Sequence, residues 1–304
     1  MSVTLPAKNL LDGSKAPATT TAEMETAMGE IRDYLAALLG ADTNFQRPGA
    51  ERVSYVSATQ IQLTRHLGKA LPLYVGGAPA LVEIPSAGTT LSNSGLTANK
   101  NYCIYAYDNS GTLALEATLA AEESGGVAHV TDSATGIEVK SGDTSRALVA
   151  RVKMNASGQF ADSSTQAFVC SWHNQPARRL WRSLASIGTF TTIGSAAEIN
   201  SAYRIEWVEF GRPTVLGVAG IGSNTATNAI VECGVKVDGT TGQDTALVGG
   251  HVAAAFQTAI TSFAALAWGE GYHYATTVGL VSSGTGSVVG SNSSINALLG
   301  ANNG

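Results

Sequence analysis

The residues that could do chemistry in this 304-residue chain are few and scattered. Outside the first helical segment, the close acidic pairs are Glu122-Glu123 and Glu206/Glu209. Glycoside hydrolysis needs two carboxylates roughly 5–10 Å apart across one bond. Glu206 and Glu209 are three positions apart, so on a strand they face opposite sides, and solvated faces are expected. Asp238 and Asp244 flank a Gly/Thr turn where calcium could sit, but an oxygen cage normally takes more carboxylates. His66, His129, His173, His251 and His273 lack metal-ligand spacing. Gly284-Thr285-Gly286 followed by Gly290 has the wrong spacing for a dinucleotide loop. There is no GxSxG, HExxH or GxxxxGK[ST] pattern. These residues assign no catalytic group, no metal ligand and no cofactor, and the expectation is a non-enzyme.

Aromatic residues form the more suggestive groups. Tyr102, Tyr105 and Tyr107 fall on one strand-like run that ends in Asp108 and Asn109, and Tyr272, His273 and Tyr274 lie close to Trp268. Exposed aromatics beside Asp and Asn can hold sugars, which makes Tyr105, Tyr107, Trp268 and Tyr272 candidate glycan contacts. Aromatic side chains are also ordinary core material, and both readings stand.

The elements that would carry these residues come in three parts. Residues 1–50 read as an arm, an attachment helix over about 21–39, and a linker. Thr20 is a candidate N-cap with Glu23 three residues on. Met24, Met28, Ile31, Leu35 and Leu38 then follow at steps of 4, 3, 4 and 3, a heptad seam. Two heptads are too short to stand alone in water, so the seam packs either on its own domain or on other chains. After Arg47-Pro48-Gly49 the pattern changes to period two. Residues 51–176 read as one β domain, with strands expected at Tyr55–Leu63, Asn101–Tyr107, Thr112–Thr118, Arg146–Met154 and Gln166–Trp172. Asp108–Gly111 is a hairpin turn signal. Asn174–Trp181, with Pro176 and the basic trio Arg178, Arg179 and Arg182, reads as an exposed linker. Residues 177–304 read as a second β domain with a polar tail. Its strands are expected at Ala202–Phe210, Pro213–Ala219, Ile230–Val237, Ala254–Ala267 and Tyr272–Val281. Ile295–Leu299 reads as a terminal clip on a neighbour or a local helical turn. The fold class is mainly β: a short N-terminal helix followed by two antiparallel sandwich or barrel-like domains.

Composition narrows the class further. Hydrophobic residues make up 44%, enough for a core, whereas charged residues make up 13% against about 25% in ordinary globular chains. A surface rich in small and hydroxyl residues suits contact with copies of itself. The net charge of −5 gives no basic footprint for nucleic acid. No run of about 18 apolar residues suggests membrane insertion. Residues 1–12 show no signal-peptide pattern. Cys103, Cys170 and Cys233 are odd in number and widely spaced, so buried thiols and maturation in a reducing cytoplasm are expected.

One segment carries a family resemblance. Asn101–Tyr107, the hairpin after it, and HVTDSATGIEVKSGDTSRALVARVKMNASGQFADSSTQAFVCSW at His129–Trp172 resemble a module of tailed-bacteriophage virion proteins of the tail-fibre or minor structural type. The resemblance covers residues 100–182. It implies a non-enzymatic β module, made in the bacterial host cytoplasm and carried in the virion. Its partners would be copies of itself, most simply a trimer, together with other virion proteins and a host surface glycan. A tail fibre or tail-associated appendage anchored by the N-terminal helix, with a part in host attachment, is the leading reading. A head decoration or head-fibre protein is the alternative, and a glycan-binding receptor module is the second. If the seam is the anchor, replacing Ile31 and Leu35 with Asp abolishes incorporation into particles, scored by immunoblot, and leaves the β-sheet circular dichroism intact.

Overall fold

The computed structural model describes residues 49–183, 188–252, 257–288 and 294–299. The helix expected over 21–39, with Met24, Met28, Ile31, Leu35 and Leu38, lies outside the described residues. Residues 48–304 form one compact unit, and its described part is mainly β.

The first twelve strands are β1 (Glu51–Ser57), β2 (Gln60–Arg65), β3 (Ala70–Val75), β4 (Ala78–Glu83), β5 (Thr89–Ser92), β6 (Asn101–Asn109), β7 (Thr112–Leu119), β8 (His129–Thr131), β9 (Glu138–Lys140), β10 (Asp143–Lys153), β11 (Gln166–Ala167) and β12 (Val169–Ser171). They build a three-stranded sheet β1-β2-β5, a hairpin β3-β4, and a sheet β7-β6-β10-β9-β8 in which β12 also pairs with β10. Alternation in β1 and β2 sends Val53, Ile61 and Leu63 to one core. There they meet Leu71 and Leu73 of β3, Ile104 of β6 and Val152 of β10. The β6–β7 hairpin closes through Ser110 and Gly111, at φ 55° and 87°. Positive φ at both central residues is the turn whose twist matches the flanking strands. Asp108 secures the turn by accepting the Gly111 N–H at 3.0 Å.

β6 and β10 differ from the strands around them. Residues 101–106 of β6 and 147–152 of β10 are buried without alternation. A strand covered on both faces reads as a continuous run. One face joins the core just described, and the other carries Cys103, Tyr105 and Leu148, with Trp172 and Phe210 packed against it.

The remaining strands are β13 (Arg178–Ser183), β14 (Gly188–Phe190), β15 (Ala197–Glu198), β16 (Ile205–Phe210), β17 (Pro213–Asn224), β18 (Ala229–Val237), β19 (Val248–Val252), β20 (Gln257–Ala267), β21 (Glu270–Val281), β22 (Gly286–Val288) and β23 (Ser294–Leu299). One sheet runs β11-β16-β21-β18-β19, with β15 on β21. The other runs β13-β23-β17-β22-β14, with β20 on β17. They stack as a two-layer sandwich. Ile205, Trp207, Val235 and Val237 of the first sheet meet Leu180, Leu216, Val218 and Ile295 of the second. The alternation at Val231, Cys233, Val235 and Val237 is seen as expected, with all four buried.

Three expectations are corrected here. Ile295–Leu299 is neither a clip on a neighbour nor a helical turn. It lies within strand β23, inserted between β13 and β17 of its own chain, with Ile295 1% exposed. The basic trio is not an exposed linker but part of β13. Leu180 at its centre is fully buried, and burying that side chain fixes the strand. Ala202–Phe210 is not all strand, because Ser201–Tyr203 is a 3₁₀ turn capped by the Asn200 side chain, and β16 starts at Ile205. Cys103, Cys170 and Cys233 are buried free thiols.

Candidate functional site

The ionisable groups that looked scattered in sequence converge where β10 faces the start of β21. Arg151 projects from β10, and its side chain is only 3% exposed. Its guanidinium donates to Glu122 and to Glu270. Glu270 also faces His129 of β8, whose Nε2 lies 2.8 Å from its Oε1. The other ring nitrogen, Nδ1, lies 2.8 Å from Glu138 of β9. The chain of contacts is therefore Glu122, Arg151, Glu270, His129, Glu138. Burial would lower the Arg151 pKa, but Glu122 outweighs it and holds the guanidinium charged. The Glu270 hydrogen bond raises the His129 imidazole above its ordinary value against its own burial, and Glu138 adds to the rise. Burial pushes Glu270 up, but His129 and Arg151 hold it below the usual carboxylate range. Aromatic rings wall the network. Trp172 and Phe210 meet edge to face at 4.7 Å, and His129 lies 5.9 Å from Trp172.

On the other face of β16, one residue back from Phe210, Glu209 is 4% exposed. It accepts from the Thr214 hydroxyl at 3.2 Å, and its Oε1 lies 3.6 Å from His273 Nε2. His273 Nδ1 lies 2.6 Å from Asp238. Desolvation raises the Glu209 carboxyl, with His273 opposing it. His273 is raised in turn: its own burial works against protonation, and Asp238 outweighs it. The two acids near the Asp238 turn are taken by protein partners. Asp238 accepts the Tyr274 N–H, and Asp244 accepts from Lys236 Nζ at 3.1 Å and from the Val237 N–H at 2.7 Å. Among the described residues, no three His, Cys, Asp or Glu side chains come together as a metal site. A cavity of about 140 Å³ lies nearby, between β1, β12 and β16, and Arg52, Tyr55, Arg178, Glu209 and Arg212 are among its lining residues.

The sequence-derived glycan candidates fall in different environments. Tyr105 is fully buried and serves the junction core. Tyr107 lies under the Arg146 guanidinium, 3.9 Å from the ring centroid. Tyr272 carries Lys153 over its ring at 4.0 Å and donates its hydroxyl to Glu206. Trp268 packs partly buried against the sandwich core. Tyr272 and Trp268 share the second half, while Tyr105 and Tyr107 belong to β6, so the four do not form one surface. Glu206 and Glu209 do face opposite sides, but Glu209 is buried where a solvated face was expected.

Sequence reasoning missed the Arg151 network. The signal was a lone Arg inside the apolar run Ala147–Val152, since an unpaired charge is almost never buried. Its partners could not be read from spacing, because Glu270 lies 119 positions away.

No family model matches the chain, and no curated protein matches it. Solved structures give distant likenesses. One is to a chain of the infectious bursal disease virus Gx strain structure, at 12% identity and TM-score 0.28, covering 81% of this chain and 70% of that one. Another is to the infectious bursal disease virus VP2 subviral particle, at 15% identity and TM-score 0.32, covering 88% and 78%. A third is to an exo-β-1,3-galactanase from Phanerochaete chrysosporium, at 11% identity and TM-score 0.21, covering 82% and 68%. At TM-scores this low, the likeness carries no argument about function.

Two tests follow from the geometry. Removing Arg151 leaves Glu122 and Glu270, whose side chains are 42% and 32% exposed, without charge-assisted hydrogen bonds worth about 1.5–3 kcal/mol. Arg151→Ala is therefore expected to lose that much in urea unfolding. A variant carrying Arg151→Met, Glu270→Gln and Glu122→Gln together loses far less. A loss below about 1 kcal/mol for Arg151→Ala contradicts the network's role. The second test is pH. Glu51 is fully buried with both carboxyl oxygens unpartnered, and burial pushes its pKa up to about 7. The folded state then holds that proton more tightly than the unfolded chain. Its contribution is full below about 4.5 and is lost as pH rises to about 7. His129, raised above 6.5, acts in the same sense: its contribution is full below the unfolded value and lost as pH rises through the folded one. Urea midpoints are expected to fall between pH 5 and 8, and Glu51→Gln to flatten the lower part of that fall. A midpoint rising across this window contradicts the assignment.

Proposed function

We propose that this chain is a non-enzymatic structural subunit of a virus particle. The finer reading is a tail fibre or tail-associated appendage of a tailed bacteriophage, anchored through the seam Met24–Leu38. The observation that carries the structural reading is the Arg151 network. Arg151, His129 and their carboxylates are paired with one another around a buried guanidinium. Arg151, His129 and three carboxylates spend their charge on joining β8, β9 and β10 to β21. A reacting group would have to leave one of those pairings to meet a substrate.

Two further features support this reading. The segment over residues 100–182 that resembles phage virion modules contains β6, β10 and the Arg151 side of the network. The low charged fraction, 13%, leaves a surface suited to packing against copies and neighbours. Homotrimer formation, other virion proteins as partners, and a host glycan as target belong to the same proposal. The head decoration alternative differs only in where the particle carries the chain.

Immunogold labelling of purified particles with antibody to this chain tests it. Label on tails is expected. Label on the icosahedral shell selects the decoration alternative and overturns the tail reading. Absence of label from particles, in lysates that contain the chain, overturns the virion assignment.

A further inference from the structure

The two outer faces of the second-half sandwich are unlike each other. The outer face of the β16–β21 sheet is covered and tied. There Tyr272 holds Glu206, Arg204 pairs with Glu198 at 2.7 Å, and Phe168 meets Tyr272 at 6.1 Å. The outer face of the β13–β17–β20 sheet carries three exposed large apolar side chains, and one of them, Phe263, is the most exposed among the described residues. Phe263 on β20 is 73% exposed, Trp181 on β13 is 46% exposed and Val215 on β17 is 41% exposed. Their neighbours are small: Val215 sits opposite Ala265, Gly217 opposite Phe263, and Ala219 opposite Thr261. A Cβ on Gly217 would lie 3.1 Å from Phe263 Cβ and 2.9 Å from the Ser262 carbonyl, so glycine makes room for that ring. Outward positions of β13, β17 and β20 include one charged residue, Arg179.

We infer that this face is where a second copy of the chain docks. The inference rests on the structural-subunit reading and names its partner. Two arguments select a second copy. The first is charge. Among the described outward positions of β13, β17 and β20 there is no acid and one base, Arg179, so two copies of the face meet with little like-charge repulsion. The second is area. β17 and β20 run for 12 and 11 residues, and β13 and β23 for 6 each. At about 3.3 Å per residue and about 4.8 Å between strands, the face covers roughly 550 Å². Two copies bury about 1,100 Å² together, above the roughly 1,000 Å² that a specific interface needs. β20, paired only with β17 among the described residues, has no charged residue along its 11 positions. Edge strands that must stay unpaired usually carry such charges.

Cross-linking of the purified full chain tests the inference. Thr261→Cys or Ala265→Cys places one accessible thiol on the face, while Cys103, Cys170 and Cys233 stay buried. A short bismaleimide is expected to give covalent dimers with either variant and none with Glu232→Cys on the opposite sheet. Sedimentation velocity supplies the second readout. Phe263→Asp is expected to weaken self-association at least tenfold with unchanged circular dichroism, since its side chain supports no core contact. If Phe263→Asp misfolds, Val215→Lys replaces it. Dimers no more frequent than in the Glu232→Cys control, or association unchanged by Phe263→Asp or Val215→Lys, overturn the docking face. Particles free of label with the cross-link still present would instead overturn the virion reading and leave the interface standing.

Discussion

The guanidinium of Arg151 is the constraint around which the rest of the molecule is arranged. A cation with a side chain 3% exposed survives only when paired and hydrogen-bonded. Glu122 reaches it from the turn after β7. Glu270 reaches it from the first residue of β21, in the other half of the chain. β21 is the central strand of its sheet, with β16 on one side and β18 on the other. Fixing Glu270 therefore fixes the register of that sheet against β10. The edge-to-face pair Trp172–Phe210 shields the contact, and Tyr105, Cys103 and Leu148 floor it. β11 strengthens the join. It belongs in sequence to the first twelve strands yet pairs in parallel with β16.

This arrangement explains why potentially reactive side chains here need not be catalytic. Opposed carboxylates and a histidine with a raised pKa can mark an active site, and structural ion pairs shift pKa values in the same way. His129 is raised because two acids fix both of its ring nitrogens. Glu116 shows the same logic at the surface. Burial would raise it, yet hydrogen bonds from Lys140, Arg146 and Thr118 hold it down at about 2. Two buried acids outside the network behave differently. Glu51 and Glu209 are acids forced up by burial, and they make the body more comfortable on the acid side of neutrality.

Much of the fold was legible in the sequence because its signals are local. Period-two alternation located β18, and Asp108–Gly111 located the β6–β7 hairpin, since the φ > 0 positions at Ser110 and Gly111 are set by turn chemistry. The failures share one cause. β23 is six residues bounded by Gly, Ser and Asn, and only its two partners β13 and β17 make it a strand. Arg178, Arg179 and Arg182 looked like linker because charge masked Leu180, the one residue whose burial fixes β13. The Arg151 network is nonlocal by construction, joining positions 119 apart. Tyr105 looked like a surface candidate because its strand ends in Asp108 and Asn109, whereas β6 is covered on both faces and buries it.

If the buried network welds the two halves, residues 48–304 unfold as one unit. Differential scanning calorimetry of the purified chain at pH 6 addresses this most directly. A single transition is expected for the β body, with a calorimetric enthalpy equal to the van't Hoff enthalpy. Arg151→Ala splits or broadens that transition. Two separable transitions in the unaltered chain, one for each half, would contradict it.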